Sequence, residues 1–354
     1  MLMSNNLDKM WVLKDIQFNG IVNFSRNGRL LLISGHHNSH VVNLDYESDF
    51  KMVKSISKFD QKQAIEISPD GNVLAMGCLA ETDAEARKYG VFWVGIVDAV
   101  NGSEVRRLTQ DKGLTHKIYG ILTIAFSESG LFLAAGGYHA AVFEVLTGRC
   151  LMAHKVGHDS VYSRVCFADS DRILIEADNG SSRDELFISL YSGASYDTLI
   201  CTRSCKLFAS HPRRNGVALA DGGVIKLLNP FNGVERQLWE SGYSVDEIAF
   251  SPNGEMLAFV IRGSTIKILD SATGKLRQSL TCNCVGNRIK LHFSPDSKKV
   301  LFASNVGLIL FNLADERSME IDRASDSACF SPDGKVIVNL TGTELTSWCT
   351  GPMI

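Results

Sequence analysis

The side chains best suited to chemistry in this chain are few and scattered. Three imidazoles lie close together in Gly35-His36-His37-Asn38-Ser39-His40, and imidazole is a common metal ligand, but no second coordinating set stands nearby to complete a site. Cys282-Asn283-Cys284 and Cys201-Thr202-Arg203-Ser204-Cys205 bring thiols near one another, yet neither pair repeats at zinc-ribbon spacing. Lys112, His116 and Lys117 form a small basic group able to meet a carboxylate or phosphate, and Arg213-Arg214 could face an acidic partner; solvated turn residues are the plainer reading of both. His158, within Gly157-His158-Asp159, reads as a structural histidine rather than a base. There is no glycine-rich phosphate loop ending in Lys-Ser or Lys-Thr, no His-Glu-x-x-His and no Gly-x-Ser-x-Gly elbow. The chemistry on offer is recognition by loop side chains, with no metal and no cofactor.

Such loops need a frame, and one phrase supplies it. It is clearest at Phe330-Ser331-Pro332-Asp333-Gly334 and returns at Phe250-Ser251-Pro252-Asn253-Gly254 and Ile67-Ser68-Pro69-Asp70-Gly71. Looser copies start at Phe24, Phe126 and Phe293, with weaker echoes at Phe167 and Phe208. Ser-Pro-Asp-Gly suits a type I turn: Pro presets φ at the second position, Asp tolerates the third and Gly the fourth, while the serine hydroxyl is expected to bond the amide two residues on. Apolar alternating runs flank each copy, so each phrase predicts a β-hairpin tip whose aromatic points into a core. The step between copies is about forty residues, the length of a four-stranded propeller blade. After Gly263, the run Ser264 to Asp270 alternates cleanly, turns at Ser271-Ala272-Thr273-Gly274-Lys275 and returns through Leu276 to Leu280.

The stretch 245–280 resembles one complete repeat of the WD40 family, and the resemblance extends over essentially the whole chain. The Trp-Asp pair that names the family is replaced by Leu269-Asp270, Val97-Asp98, Leu44-Asp45 and Trp348-Cys349, and the family's Gly-His pair is matched by Gly157-His158-Asp159. The expected fold is therefore all-β: a single-domain propeller over residues 1–354, with eight four-stranded antiparallel blades, or alternatively seven. A strand at 10–15 has nothing local to pair with, and the last phrase is followed by strands near 335–339 and 343–348 only. Pairing 10–15 with 343–348 would close the ring and leave no exposed edges there, a closure that the resemblance also implies.

Composition fits this frame. Lys plus Arg number 36 against 39 Asp plus Glu, a formal charge of −3, which argues against a general nucleic-acid surface. The nine cysteines are odd in number and irregularly spaced, and several fall within strands (Cys78, Cys166, Cys329), as reduced thiols packed like small apolar residues would. No secretory leader or membrane-length apolar run is visible, so the expectation is a cytoplasmic protein. The sequons Asn101-Gly102-Ser103 and Asn339-Leu340-Thr341 are expected to stay unused.

In WD40-like propellers, the turns from second to third strand and the segments joining one blade to the next share a face. By that resemblance, binding residues gather on blades one to four. They are His36 and His37, then Glu81, Arg87, Lys88 and Tyr89 in the 79–90 insertion, which is rich in helix formers, then Lys112 and His116, Asp159, and Arg183 in the 178–185 loop. The expected role is non-enzymatic: a scaffold or adaptor holding a protein partner within a multi-subunit complex. The alternative is an enzyme or small-ligand binder using the mouth of the central channel.

Overall fold

A computed structural model of the chain describes residues 9–13, 21–26, 28–34, 39–43, 51–56, 64–79, 92–99, 101–109, 121–137, 139–155, 163–167, 172–178, 186–192, 198–212, 216–282, 286 and 288–350. Within them all regular structure is β, and no helix is long and apolar enough to cross a membrane.

The strands are β1 (Lys9–Leu13), then β2 (Ile21–Phe24), β3 (Leu30–Ser34), β4 (Ser39–Asn43) and β5 (Lys51–Ile56). Next come β6 (Ile65–Ile67), β7 (Val73–Leu79), β8 (Phe92–Asp98) and β9 (Glu104–Leu108), followed by β10 (Ile121–Phe126), β11 (Phe132–Gly137), β12 (His139–Glu144) and β13 (Cys150–Lys155). The chain continues through β14 (Ser163–Phe167), β15 (Arg172–Asp178), β16 (Leu186–Ser192) and β17 (Thr198–Cys205), and then β18 (Leu207–Ser210), β19 (Val217–Asp221), β20 (Val224–Leu228) and β21 (Glu235–Glu240). The last strands are β22 (Val245–Phe250), β23 (Met256–Ile261), β24 (Thr265–Asp270), β25 (Leu276–Thr281), β26 (Lys290–Phe293), β27 (Lys299–Ser304), β28 (Gly307–Asn312), β29 (Ser318–Asp322), β30 (Ser327–Phe330), β31 (Val336–Thr341) and β32 (Glu344–Cys349).

From β2 to β29 each successive group of four is one sheet in chain order, and β30–β32 take β1 as their fourth strand, in the order β1-β32-β31-β30, giving eight four-stranded sheets. The N-terminal strand pairs where it was expected to, one residue earlier than read from sequence, with Leu13 opposite Leu345 and Val12 opposite Thr346. Strands within a sheet are called A to D from first to fourth. Because the pairing is antiparallel, A–B and C–D turns lie at one end of a sheet, and B–C turns and D–A segments at the other.

The fold divides into two compact units, residues 1–24, 206–229 and 234–354 in one and residues 25–205 with 230–233 in the other. Inside each unit successive sheets pack face to face. Strand β23 shows why its sequence, Met-Leu-Ala-Phe-Val-Ile, is apolar at every position. Leu257 and Phe259 meet Ala218, Ala220 and Ile225 on one side, while Ala258 and Val260 meet Leu291, Phe293 and Phe302 on the other. A strand buried on both faces loses the alternation that marks a half-exposed one. Phe259 and Phe302 are fully buried, each contributing about 1.5–3 kcal/mol of apolar burial. In the 25–205 unit, Leu30 and Leu32 pack with Leu74, Met76 and Trp93, and Ala134 and Val142 with Ile173 and Ile175.

The repeated phrase forms the expected turn, with a different serine bond. Gly71, Gly254 and Gly334 each donate N–H to the carbonyl of the phrase serine (2.8 Å). The serine Oγ does not take the amide two residues on; it accepts from the amide five residues on, Val336 N–H to Ser331 (3.0 Å) and Lys299 N–H to Ser294 (2.8 Å). It donates to the carboxylate two residues on, Ser331 to Asp333 (2.6 Å), which accepts in turn from Lys335 N–H (3.1 Å). The hydroxyl therefore staples strand B to the turn. Ser297 stands where the other copies have glycine, at φ 62° beside 72° for Gly334. Its Oγ accepts Asn253 N–H from the adjacent turn (3.1 Å), a bond that glycine could not make.

Neighbouring sheets are tied at two further places. The residue three before the phrase aromatic is an inner joint. Ser327 Oγ accepts Val22 N–H (3.2 Å), Thr123 Oγ1 accepts Val165 N–H (3.2 Å), and Lys290 pairs with Glu247 (3.1 Å). At the outer edge, D strands donate side-chain hydrogen bonds to C–D turns of the next sheet: Arg106 to Thr147 O, Arg236 to Ala272 O and Gln278 to Leu313 O.

Two further sequence expectations concern the phrase aromatics and the sequon at Asn339. Phe330 and Phe293 are buried; Phe250 is half-buried, packed on the core beneath it with the His211 ring in an edge contact, centroids 4.9 Å apart. Asn339 is fully buried, and its Nδ2 donates to Asp322 Oδ2 (3.0 Å) and Thr341 Oγ1 (3.0 Å). That sequon is a hydrogen-bonding pattern inside the fold.

Candidate functional site

None of the residues picked from sequence as partner-binding falls among the described residues. His36, His37, Glu81, Arg87, Lys88, Tyr89, Lys112, His116, Asp159 and Arg183 all lie outside them, as do Lys117, His158, Arg213, Arg214 and the 79–90 insertion beyond Leu79. Cys78, Cys205, Cys282 and Cys329 are buried and Cys201 is half-buried, none of them in a disulfide; burial pushes the Cys329 thiol up to about 12. The described residues contain no cluster of metal-ligating side chains.

The same kind of edge, B–C turns with D–A segments, is well described in the 206–354 part of the chain. There it carries one assembled feature. Strands β19 and β20 are joined by Gly222-Gly223. A Cβ on Gly223 would sit 2.0 Å from Ser241 O and 2.8 Å from Tyr243 O, so only glycine lets the following D–A segment lie against this turn. The segment is then laced down: Ser241 N–H donates to Gly223 O (2.9 Å), Val245 N–H to Gly222 O (2.8 Å) and Ser241 Oγ to Tyr243 O (2.9 Å). The backbone of Tyr243 is thereby fixed while its side chain stays 47% exposed.

The next B–C turn is Arg262-Gly263-Ser264. Gly222 and Gly342 hold φ 56° in their turns, and Arg262 holds the same 56°. A left-handed backbone costs a non-glycine residue roughly 1–2 kcal/mol. The turn is held by Gly263 N–H donating to Asp246 Oδ2 (2.8 Å), a contact that Asp326 repeats with Gly342 N–H (2.7 Å). From this strained position the Arg262 guanidinium stacks on Tyr243, 3.4 Å from the ring centre. Exposed cation–π pairs contribute about 0.5–1 kcal/mol, so the stack offsets only part of the backbone cost.

Arg288 is a second exposed arginine with left-handed backbone, at φ 54°, and the exposed Arg323 precedes β30. What the arrangement can do is bind: tyrosine and arginine dominate protein-interface hot spots, and a guanidinium presents forked donors to carboxylates.

Comparison with known proteins fits this geometry. The solved C-terminal WD40 domain of Sif2 superposes with a TM-score of 0.72 at 11% identity, covering 98% of this chain and 99% of that one. The fold is a WD40-like β-propeller. A family model, the WD40 domain of anaphase-promoting complex subunit 4, matches residues 232–304, the stretch that holds Tyr243, Arg262 and Arg288. No curated protein matches. In this propeller the aspartate of the missing Trp-Asp pair survives as Asp270, at the opposite end of the sheet from Arg262. Hydrogen bonds from Arg277 and then Thr273 pull its carboxyl down to about 2. It is a turn-holding residue.

Sequence reasoning missed Tyr243 and Arg262. The available signal was Arg262 opening a turn where the preceding repeat has Gly222-Gly223; a large side chain where the backbone favours glycine needs a reason.

Proposed function

We propose that the protein is a non-enzymatic platform for a protein partner, working in the cytoplasm as an adaptor or subunit of a larger assembly. In this reading residues 1–354 form one domain, a closed ring of eight blades sealed where β1 joins β32. The partner binds on B–C turns and D–A segments. The observation that carries the proposal is the Tyr243–Arg262 stack: an exposed aromatic and an arginine, both held by backbone bonds before any partner arrives, which lowers the ordering cost of association. That the matching family model is named for a subunit of a complex supports the assembly role. His36, His37, Glu81, Arg87, Lys88, Tyr89, Lys112, His116, Asp159 and Arg183, all outside the described residues, are kept in this reading as further partner contacts.

The test is co-purification of tagged protein from its native host, with partners identified by mass spectrometry and rebuilt from purified components. Tyr243→Ala with Arg262→Gly should abolish the rebuilt complex while leaving the melting temperature within a few degrees of wild type. A complex that survives the double substitution would move the site elsewhere.

A further inference from the structure

We propose that the B–C/D–A edge of the 206–354 segment docks a basic segment of the protein partner. This rests on the platform reading above and specifies its ligand chemistry. The charges held in place along this edge are acidic. Asp246 accepts Gly263 N–H and Asp326 accepts Gly342 N–H. Asp322 accepts from Asn339 Nδ2 and from Arg323 N–H (2.8 Å), and Glu240 accepts from Gln237 Nε2 (2.9 Å). Every one of these donors is neutral, so the bonds position the carboxylates and leave their charge intact. A carboxylate positioned beforehand meets a cation with little further ordering.

Glu247 differs in being paired with Lys290 (3.1 Å). Asp221, exposed beside the Gly222 turn, and Glu344 bring the described carboxylates of the edge to seven. Five described cations stand among them: Lys206, Arg262, Arg288, Lys290 and Arg323. Lys290 is neutralised by Glu247 and Arg262 is stacked on Tyr243. The exposed side chains of Arg288 and Arg323 have no hydrogen bond, ion pair or ring contact among the described residues, so they are free to turn away from an incoming cation. The edge also exposes two apolar anchors, Tyr243 at 47% and Val306 at 42%. Tyr243 lies between Glu240 and Asp246 in the chain. Ser325 N–H donates to Ser304 O (2.8 Å), which sets the Val306 turn beside the segment that carries Asp322 and Asp326. Each anchor is thus flanked by two held carboxylates, an arrangement suited to lysine or arginine side chains, whose aliphatic stems lie on apolar surface while their charged heads stay in water. A nucleic acid or an acidic peptide would meet like charge at both places.

The experiment titrates fluorescent decalysine and decaglutamate peptides into the full-length protein at low and at elevated salt. The test variant is Asp221→Asn/Asp246→Asn/Asp326→Asn. Asp221 is exposed, and asparagine keeps an oxygen for Gly263 N–H and Gly342 N–H, so the turns stay held. The control variant, Glu255→Gln/Glu316→Gln, removes two exposed charges from an A–B and a C–D turn at the other end of the sheets. Decalysine should bind saturably, more weakly at elevated salt and about tenfold more weakly to the test variant, with the control close to wild type. Decaglutamate should show no saturable binding. Absence of saturable decalysine binding, equal weakening by both variants, or tighter binding of decaglutamate would overturn the proposal. A rebuilt partner complex that depends on Tyr243 yet is unaffected by the three asparagines would overturn this inference and leave the platform reading standing.

Discussion

Single residues hold this propeller's turns in shape, and they make the sharpest predictions. Ser331 is fully buried and its hydroxyl serves both Val336 N–H and Asp333. Ser331→Ala strands a buried amide and should cost roughly 1–3 kcal/mol in urea unfolding. Gly223→Ala places a methyl carbon against Ser241 O and should cost about 1–3 kcal/mol by forced displacement of the segment, with loss of the Tyr243 stack. Arg262→Gly, although it deletes a large side chain, should leave stability within about 1 kcal/mol, because relief of the left-handed backbone offsets the lost cation–π contact. Glu66 on β6 titrates near neutrality: burial raises its carboxyl from 4.5 to about 7. The folded state then keeps a proton that the unfolded chain releases, so this contribution is complete below about pH 4.5 and falls as pH rises through 7. Glu66→Gln should raise the melting temperature at pH 8 and change it much less at pH 4.5; an equal shift at both would contradict the assignment.

At the scale of elements, strand pairing was legible in the sequence and side-chain placement only partly so. The phrase fixed where hairpins turn because Pro, Asp and Gly each restrict the backbone in a known way. The unpaired run at the N-terminus identified β1 because a lone strand needs a partner. What the repeat concealed was what each position touches. Phe250 and Phe330 occupy the same place in their phrases, yet Phe330 is closed over by core, whereas Phe250, also packed on core, stays partly exposed beside a histidine from the neighbouring turn. Phe250→Ala should therefore cost less than Phe330→Ala in the same unfolding assay. Val12, exposed on β1 and opposite Thr346, tests the seam: Val12→Pro disrupts the extended pairing of β1 with β32 and should destabilise the protein by roughly 1–3 kcal/mol. An unchanged melting temperature would mean that β1 adds nothing to its sheet.

For the whole molecule, the repeat made the class of fold readable, because near-equal hairpins at a fixed step bury both faces only by packing sheet against sheet. The site was not readable for the same reason. Tyr243 and Arg262 come from different repeats and meet only when one sheet's linking segment lies against the next sheet's turn. Loop length directed attention to the irregular repeats, whereas the feature seen most clearly lies among the regular ones, where its rigidity comes from Gly223, Asp246 and Gly263. The account turns on that stack being where a partner protein lands. The most direct measurement places a photo-crosslinking amino acid at position 243, and in a separate protein at position 146, whose leucine is 71% exposed on the opposite kind of turn, followed by irradiation in the native host. Position 243 should capture a discrete partner, with capture lost when Arg262 is also changed to glycine, and position 146 should not capture it. Capture of the same partner from 146 but not from 243 would contradict the account.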